Sequence, residues 1–280
     1  GGPQRVGLWV TREDPVGRLS VFLGVTFLWS WGQWWPAARF SSGAWQVPEG
    51  LPEFLVTGAF AAWGPLIGAL VASFAYDGGQ GVRRLLKRLI QWRFAGFCWA
   101  AAFLLLPVVI GGAWVVAGMV DGARPASEAL ANPVAVPISF VFILLLGGPL
   151  QEEAGWRGTL LDEAQARVSP LVATVGIGLV WAVWHLPLFQ LPSAGIYYDK
   201  PFWGLTLSTV LLSVLLTWIY NRSGGSLLAV MVMHASFNWA HYVFPALESD
   251  AGGLAYFAFL IAACGAVLWA SGPNLGRRQA

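Results

Sequence analysis

Phe94-Ala-Gly-Phe-Cys-Trp-Ala-Ala-Ala-Phe-Leu-Leu-Leu-Pro-Val-Val-Ile-Gly-Gly-Ala-Trp-Val-Val-Ala-Gly-Met119 runs for 26 residues without a charged side chain. A helix needs ~20 predominantly apolar residues to cross the hydrocarbon core of a bilayer, so this stretch reads as a membrane span. Comparable apolar runs lie on either side of it, at 19–36, 54–76, 134–150, 170–191, 202–220, 225–246 and 254–270. Over all 280 residues, 57% are hydrophobic and 11% are charged, and the mean hydropathy is +0.63. A soluble domain carries about 25% charged residues, so a soluble globular reading is excluded. Strands of a transmembrane barrel would alternate polar and apolar residues, and these runs do not. The sequence predicts an all-α, polytopic integral membrane bundle of about eight transmembrane helices, with residues 1–280 forming a single transmembrane domain. The first run, 19–36, is too long and too rich in Trp for the core of a signal peptide and reads as the first span.

Many of the seventeen Trp fall near the ends of the runs, where an amphipathic indole favours the headgroup layer. Assigning Lys and Arg to alternate sides places thirteen of the sixteen together: Arg5, Arg12, Arg18, Arg83, Arg84, Lys87, Arg88, Arg93, Arg157, Arg167, Arg222, Arg277 and Arg278. Arg39, Arg124 and Lys200 fall on the other side. The positive-inside rule then makes the richer side cytoplasmic, with both termini on it, as in a multi-pass protein of the cell membrane. Gly81–Gln91 sets apolar residues against four cations at helical spacing, the pattern of a short helix on the cytoplasmic membrane surface. Net charge is only +2 without a long basic block, so no nucleic-acid surface is indicated. Cys98 and Cys264 sit inside apolar runs and read as small core residues. No pattern specifies an oligomeric state.

Ionisable residues in a span cost roughly 2.5–3.5 kcal/mol each on insertion scales, which makes them functional suspects. Three groups stand out. Gly147-Gly148-Pro149-Leu150-Gln151-Glu152-Glu153-Ala154-Gly155-Trp156-Arg157 interrupts the fourth run and adds two carboxylates. If helical, Glu153 and Arg157 share a face and pair, while Glu152 points about 100° away and is free for other work. The second group is His185, near the end of the fifth run. The third is His234 with Asn238, one turn apart in the seventh run; His241, further along, reads as structural. In a low-dielectric medium these groups are one another's least costly partners, which implies one buried polar chamber opening toward the cytoplasm. Straight helices would set Glu152 near the inner end of its span and His185 near the outer end of the next. A shared chamber therefore requires a tilt, or a fourth span that runs deeper.

Glu152-Glu153-x-x-x-Arg157, then His185, then His234-x-x-x-Asn238 resembles the ordered motif set of the CPBP family. These are intramembrane proteases related to type II CAAX prenyl endopeptidases, bacteriocin-processing enzymes and Abi proteins. The resemblance covers roughly 134–245, which it marks as a catalytic core; Trp181 stands where the second motif prefers Phe, a change read as affecting only packing around His185. The resemblance implies endopeptidase hydrolysis of a membrane-embedded or lipidated, CAAX-like protein or peptide. It makes Glu152 the general base, with His185 helping to hold the water. His234 and Asn238 donate to the oxyanion, and Glu153 and Arg157 support them, without a metal cofactor. An apolar chamber strengthens a carboxylate as a base, and preorganised donors there act strongly on an oxyanion.

Other readings stay open at this point. Glu and His side chains also suit a zinc-dependent metalloprotease, although no His-Glu-x-x-His signature is present. A buried Glu/His/Arg set at a broken helix also fits a transporter, but Gly147-Gly148-Pro149 has no counterpart in the first half. A non-enzymatic membrane scaffold or immunity protein would keep the bundle and act through its surface.

Overall fold

A computed structural model describes residues 14–277, so Arg5, Arg12 and Arg278 lie outside the described residues. The described chain is helical, with α1 (Pro15–Ser41), α2 (Glu53–Thr57), α3 (Gly64–Leu89), α4 (Gly96–Asp121), α5 (Glu128–Ala131) and α6 (Ala135–Leu146) in its first half. Then come α7 (Pro149–Gly155), α8 (Asp162–Gln165), α9 (Pro170–Trp184), α10 (Phe202–Arg222), α11 (Leu227–Val243) and α12 (Asp250–Ser271). Among the described residues, five stretches are long and apolar enough to cross a membrane: Gly96–Asp121, Ala135–Gln165, Pro170–Gln190, Phe202–Arg222 and Asp250–Ser271.

Local chemistry sets the helix starts. The Ser169 hydroxyl accepts from Val172 N–H at 3.4 Å with Pro170 as first residue of α9, and Ser226 accepts from Ala229 N–H at 3.1 Å at the head of α11. On α4, Cys98, Ala102, Leu106, Val109, Ile110, Ala113 and Ala117 are buried and follow the helical repeat, while Phe103, Leu104 and Val108 point outward. Phe142, Leu146, Ile261 and Trp269 are likewise exposed on α6 and α12. So much outward apolar surface is stable against lipid and not against water. Cys98 and Cys264 are free and buried, as the apolar runs around them predict.

The tightest helix contact follows from a spacing of small residues. A Cβ on Gly64 would meet Ser30 Oγ at 2.1 Å, and one on Gly68 would meet Thr26 Oγ1 at 2.3 Å. Two glycines four apart thus let α3 lie directly on α1, the small-xxx-small solution of membrane helices. α3 in turn packs on α7 and holds the interrupted helix.

Several expected boundaries move. The second run does not start a span at 54. Gly58 ends the short α2 in a left-handed conformation (φ 69°), and the long helix begins only at Gly64, with Pro65 in its first turn. The amphipathic segment predicted at Gly81–Gln91 is helical to Leu89 and is set off from the first part of α3 by a non-helical break at Gly78 (φ 62°). The fourth span does not end at residue 150. After the Gly147–Gly148 interruption it continues through α7, a π-helical turn at Trp156–Leu161 and α8, for 31 residues in all. Glu152 is therefore mid-helix, which resolves the depth conflict with His185. Arg157 also leaves the count of surface cations, because its side chain is fully buried.

One end of the bundle is tied by ion pairs. Arg18 meets Asp77 at 3.0 Å and Glu163 at 3.4 Å, and Arg84 also reaches Asp77, at 2.9 Å. Arg88 pairs with Asp162 at 2.8 Å and hydrogen-bonds the Tyr220 hydroxyl, which donates to Asp162. The start of α1, the end of α3, α8 and the end of α10 thus share one end. Their arginines are members of the set that sequence counting groups together.

Candidate active site

Gly148 begins the site. Its φ of +116° suits glycine, and a Cβ there would approach Glu152 Oε1 to 2.6 Å. The Gln151 side chain spans the break, accepting from Gly148 N–H at 3.1 Å and donating to the Leu145 carbonyl at 3.0 Å. The chain thereby re-enters helix at Pro149 with two adjacent carboxylates in the interior, next to a π-helical turn of the kind often found at functional sites.

The two carboxylates have different surroundings. Glu153 accepts from Arg157 Nη1 with both oxygens, at 3.1 and 3.0 Å, and lies 2.7 Å from His234 Nδ1 through Oε1. Arg157 Nη2 also donates to Ser213 Oγ on α10 at 2.8 Å, and its guanidinium lies 4.9 Å from the centre of the Trp181 ring. Glu153 is thus neutralised and held from both sides. Glu152 receives a hydrogen bond of 2.6 Å at Oε2 from Trp181 Nε1, while Oε1 faces the Gly148 backbone.

The remaining predicted residues surround this pair. His185 terminates α9 with Nδ1 2.8 Å from the Trp181 carbonyl. A carbonyl only accepts, so in the neutral ring Nδ1 carries the proton and Nε2 keeps its lone pair. The same logic at Glu153 puts a proton on His234 Nδ1. Asn238 Nδ2 donates to the Gly147 carbonyl at 3.0 Å and would be 3.5 Å from a Cβ on Gly148, so it sits on the Glu152 side of the break. α7, α9 and α11 thus bring Glu152, Glu153, Arg157, His185, His234 and Asn238 to one cluster. His241 stands apart from it against Phe237 and Tyr256, with ring centres at 4.7 and 5.0 Å.

Sequence reasoning missed three members. Trp181, which the sequence marks only as a packing residue, is the donor to Glu152, a bond the requirement that a buried indole N–H find an acceptor points toward. Ser213 is one of several hydroxyls along α10 and gives no pattern. Tyr197, in the segment joining α9 to α10, has its ring centre 5.3 Å from that of His185. Burial, and then the negative charge of Glu152, push its hydroxyl pKa up. A surface groove of about 630 Å³, lined by Leu28, Trp29, Gln33, Phe54, Phe60 and Trp63 among others, shares no residue with the cluster. Among the described residues, no three His, Cys, Asp or Glu side chains gather as metal ligands.

Comparison with known proteins falls on the helices that build this cluster. A model of the type II CAAX prenyl endopeptidase family, Rce1-like, matches residues 134–240, from the start of the interrupted helix to just beyond Asn238. Over this segment the chain is similar to that family. The chain is also 32% identical over 108 residues to the CAAX prenyl protease 2 of Methanococcus maripaludis, an alignment covering 37% of this chain. The match spans 39% of that relative's length. By its description the matched family is one of endopeptidases.

Proposed function

We propose that the protein is an intramembrane endopeptidase that hydrolyses a peptide bond of a membrane-embedded or lipidated substrate, using water activated by Glu152. The carrying observation is the asymmetry of the carboxylates: Glu153 is saturated by Arg157 and His234, whereas Glu152 has one oxygen anchored and one directed at the broken backbone. In this reading Glu152 Oε1 takes a proton from water as the water oxygen bonds to the scissile carbonyl carbon. The oxyanion forms beside His234 Nε2 and the second amide hydrogen of Asn238. As the C–N bond breaks, Glu152 returns the proton to the leaving amine, and His185 Nε2 accepts a hydrogen bond from the water. For His234 to donate from Nε2 while Nδ1 donates to Glu153, the ring must be an imidazolium. Two carboxylates, one guanidinium and one imidazolium then sum to zero charge, the arrangement a low-dielectric site favours.

The reading needs no metal, since Glu153 and His234 are committed to each other and to Arg157. Stoichiometric zinc in purified protein, with activity lost to chelator and restored by the ion, would overturn that part. We further assign eight spans, the five apolar stretches together with α1, α3 and α11, and place the ion-paired end and both termini in the cytoplasm with the site opening there. The relative's name includes a prenyl substrate, so an internally quenched peptide bearing a farnesylated cysteine three residues before its carboxyl end is the first substrate to try. The wider test compares new protein N-termini in cells expressing wild type or Glu152→Gln at equal abundance. Termini that depend on Glu152 support proteolysis and reveal the substrate. Transport or immunity function retained in full by Glu152→Gln, with no such termini, would replace it.

A further inference from the structure

We infer that Trp181 is a positioning residue for the reaction: its indole N–H pins Glu152 Oε2 and leaves Oε1 as the oxygen that meets water. This rests on the peptidase reading above. The bond is 2.6 Å and buried, and it joins α9 to α7 across a helix interface. A charge-assisted hydrogen bond to a carboxylate is roughly twice as strong as a neutral one, and a carboxylate held by one oxygen keeps the other at a fixed angle. The same residue touches the rest of the cluster. Its carbonyl takes the His185 proton at 2.8 Å, its ring face lies 4.9 Å from the Arg157 guanidinium, and its ring centre is 5.2 Å from that of His234. A phenylalanine could reproduce the carbonyl contact and the ring contacts, but not the N–H. The indole nitrogen therefore adds control over Glu152 itself, over both its orientation and the pH at which it ionises.

The charged and titratable neighbours of Glu152 stay in place when that nitrogen is removed. They are Glu153 and Arg157 on its own helix, His185 at the end of α9, His234 on α11 and Tyr197 from the α9–α10 segment. α6 carries no ionisable side chain. The groups of α1 and α3 nearest in role, Arg18, Tyr76 and Asp77, engage one another at the ion-paired end. A change in titration on removing the N–H therefore reports the bond.

The test uses the full chain in detergent or vesicles, comparing wild type with Trp181→Phe on the farnesylated quenched peptide. A lost hydrogen bond to a charged group moves the acid limb of the kcat profile upward by about one to two pH units. The effect should appear in kcat, with KM unchanged. A second readout is independent of turnover: the infrared band of the protonated carboxyl that disappears in Glu152→Gln, followed against pH. It should titrate higher in Trp181→Phe by the same interval. If the phenylalanine variant does not fold, Trp181 replaced by its benzothienyl analogue keeps the ring outline and swaps N–H for sulfur, and the same shifts apply. Unchanged titration and pH profile would overturn the assignment. Absence of cleavage of this peptide by wild type would instead defeat the prenylated-substrate assignment, leaving the infrared titration to judge the Trp181–Glu152 bond alone.

Discussion

Replacing Arg157 with methionine tests the electrostatics of the buried cluster most directly. The Arg157 and Glu153 side chains are both 0% exposed. The substitution removes two hydrogen bonds to Glu153, of 3.1 and 3.0 Å, and one to Ser213, of 2.8 Å, and leaves Glu153 with His234 as its only charged-group partner. Breaking a buried pair by deleting one member costs about 3–5 kcal/mol, roughly a hundred- to several-thousandfold in the folding equilibrium. The pair Arg84–Asp77 provides the contrast. With the Arg84 side chain 61% exposed, Arg84→Met should cost about 0.2–1 kcal/mol, the range of solvent-accessible pairs. The cost at Arg157 is one of stranding a charge, so Glu153→Gln combined with Arg157→Met should recover much of it, the Gln carbonyl still accepting from His234. Thermal and denaturant unfolding in one detergent would measure all four proteins. An Arg157→Met protein as stable as wild type, or a double variant no better than the single, would refute the reasoning.

Four other outcomes follow from the site and from the ion-paired end. Glu152→Gln should abolish peptide cleavage while leaving expression and melting temperature unchanged, since it keeps an acceptor for the Trp181 N–H. Gly148→Ala places a Cβ 2.6 Å from Glu152 Oε1 at a φ of +116°; it should lose about 1–3 kcal/mol of stability and lower kcat by about a hundredfold through displacement of the carboxylate. His241→Ala should leave cleavage intact and lose about 0.5–1.5 kcal/mol for each aromatic contact, read by assay and unfolding together. The Arg18 guanidinium beside Asp77 holds that carboxyl below its ordinary 3.8. A depressed folded pKa contributes stability that is complete above the unfolded value and is lost as pH falls through the folded one. The melting-temperature gap between wild type and Asp77→Asn should therefore close as pH drops below about 4.

The sequence by itself determined the class of structure and most members of the cluster. Apolar runs of about 20 residues have few stable outcomes other than membrane helices, and ionisable residues inside such runs are costly enough to identify themselves. The Glu153–Arg157 pair was legible because both partners lie on one helix four residues apart, where spacing alone fixes proximity. What needed the tertiary structure was everything that passes between helices. Whether the fourth span stopped at the Gly147–Gly148 break or continued to Gln165 depended on Gln151 bridging the gap and on α3 packing against α7, and that choice set the depth of Glu152 and the burial of Arg157. The close approach of α3 to α1 through Gly64 and Gly68 had a readable spacing, but its partner did not. Trp181 shows the limit most clearly. Its distance from His185 along the chain was plain, yet its bond to Glu152 joins residues 29 positions apart, and no local periodicity encodes which acceptor a buried indole N–H will find.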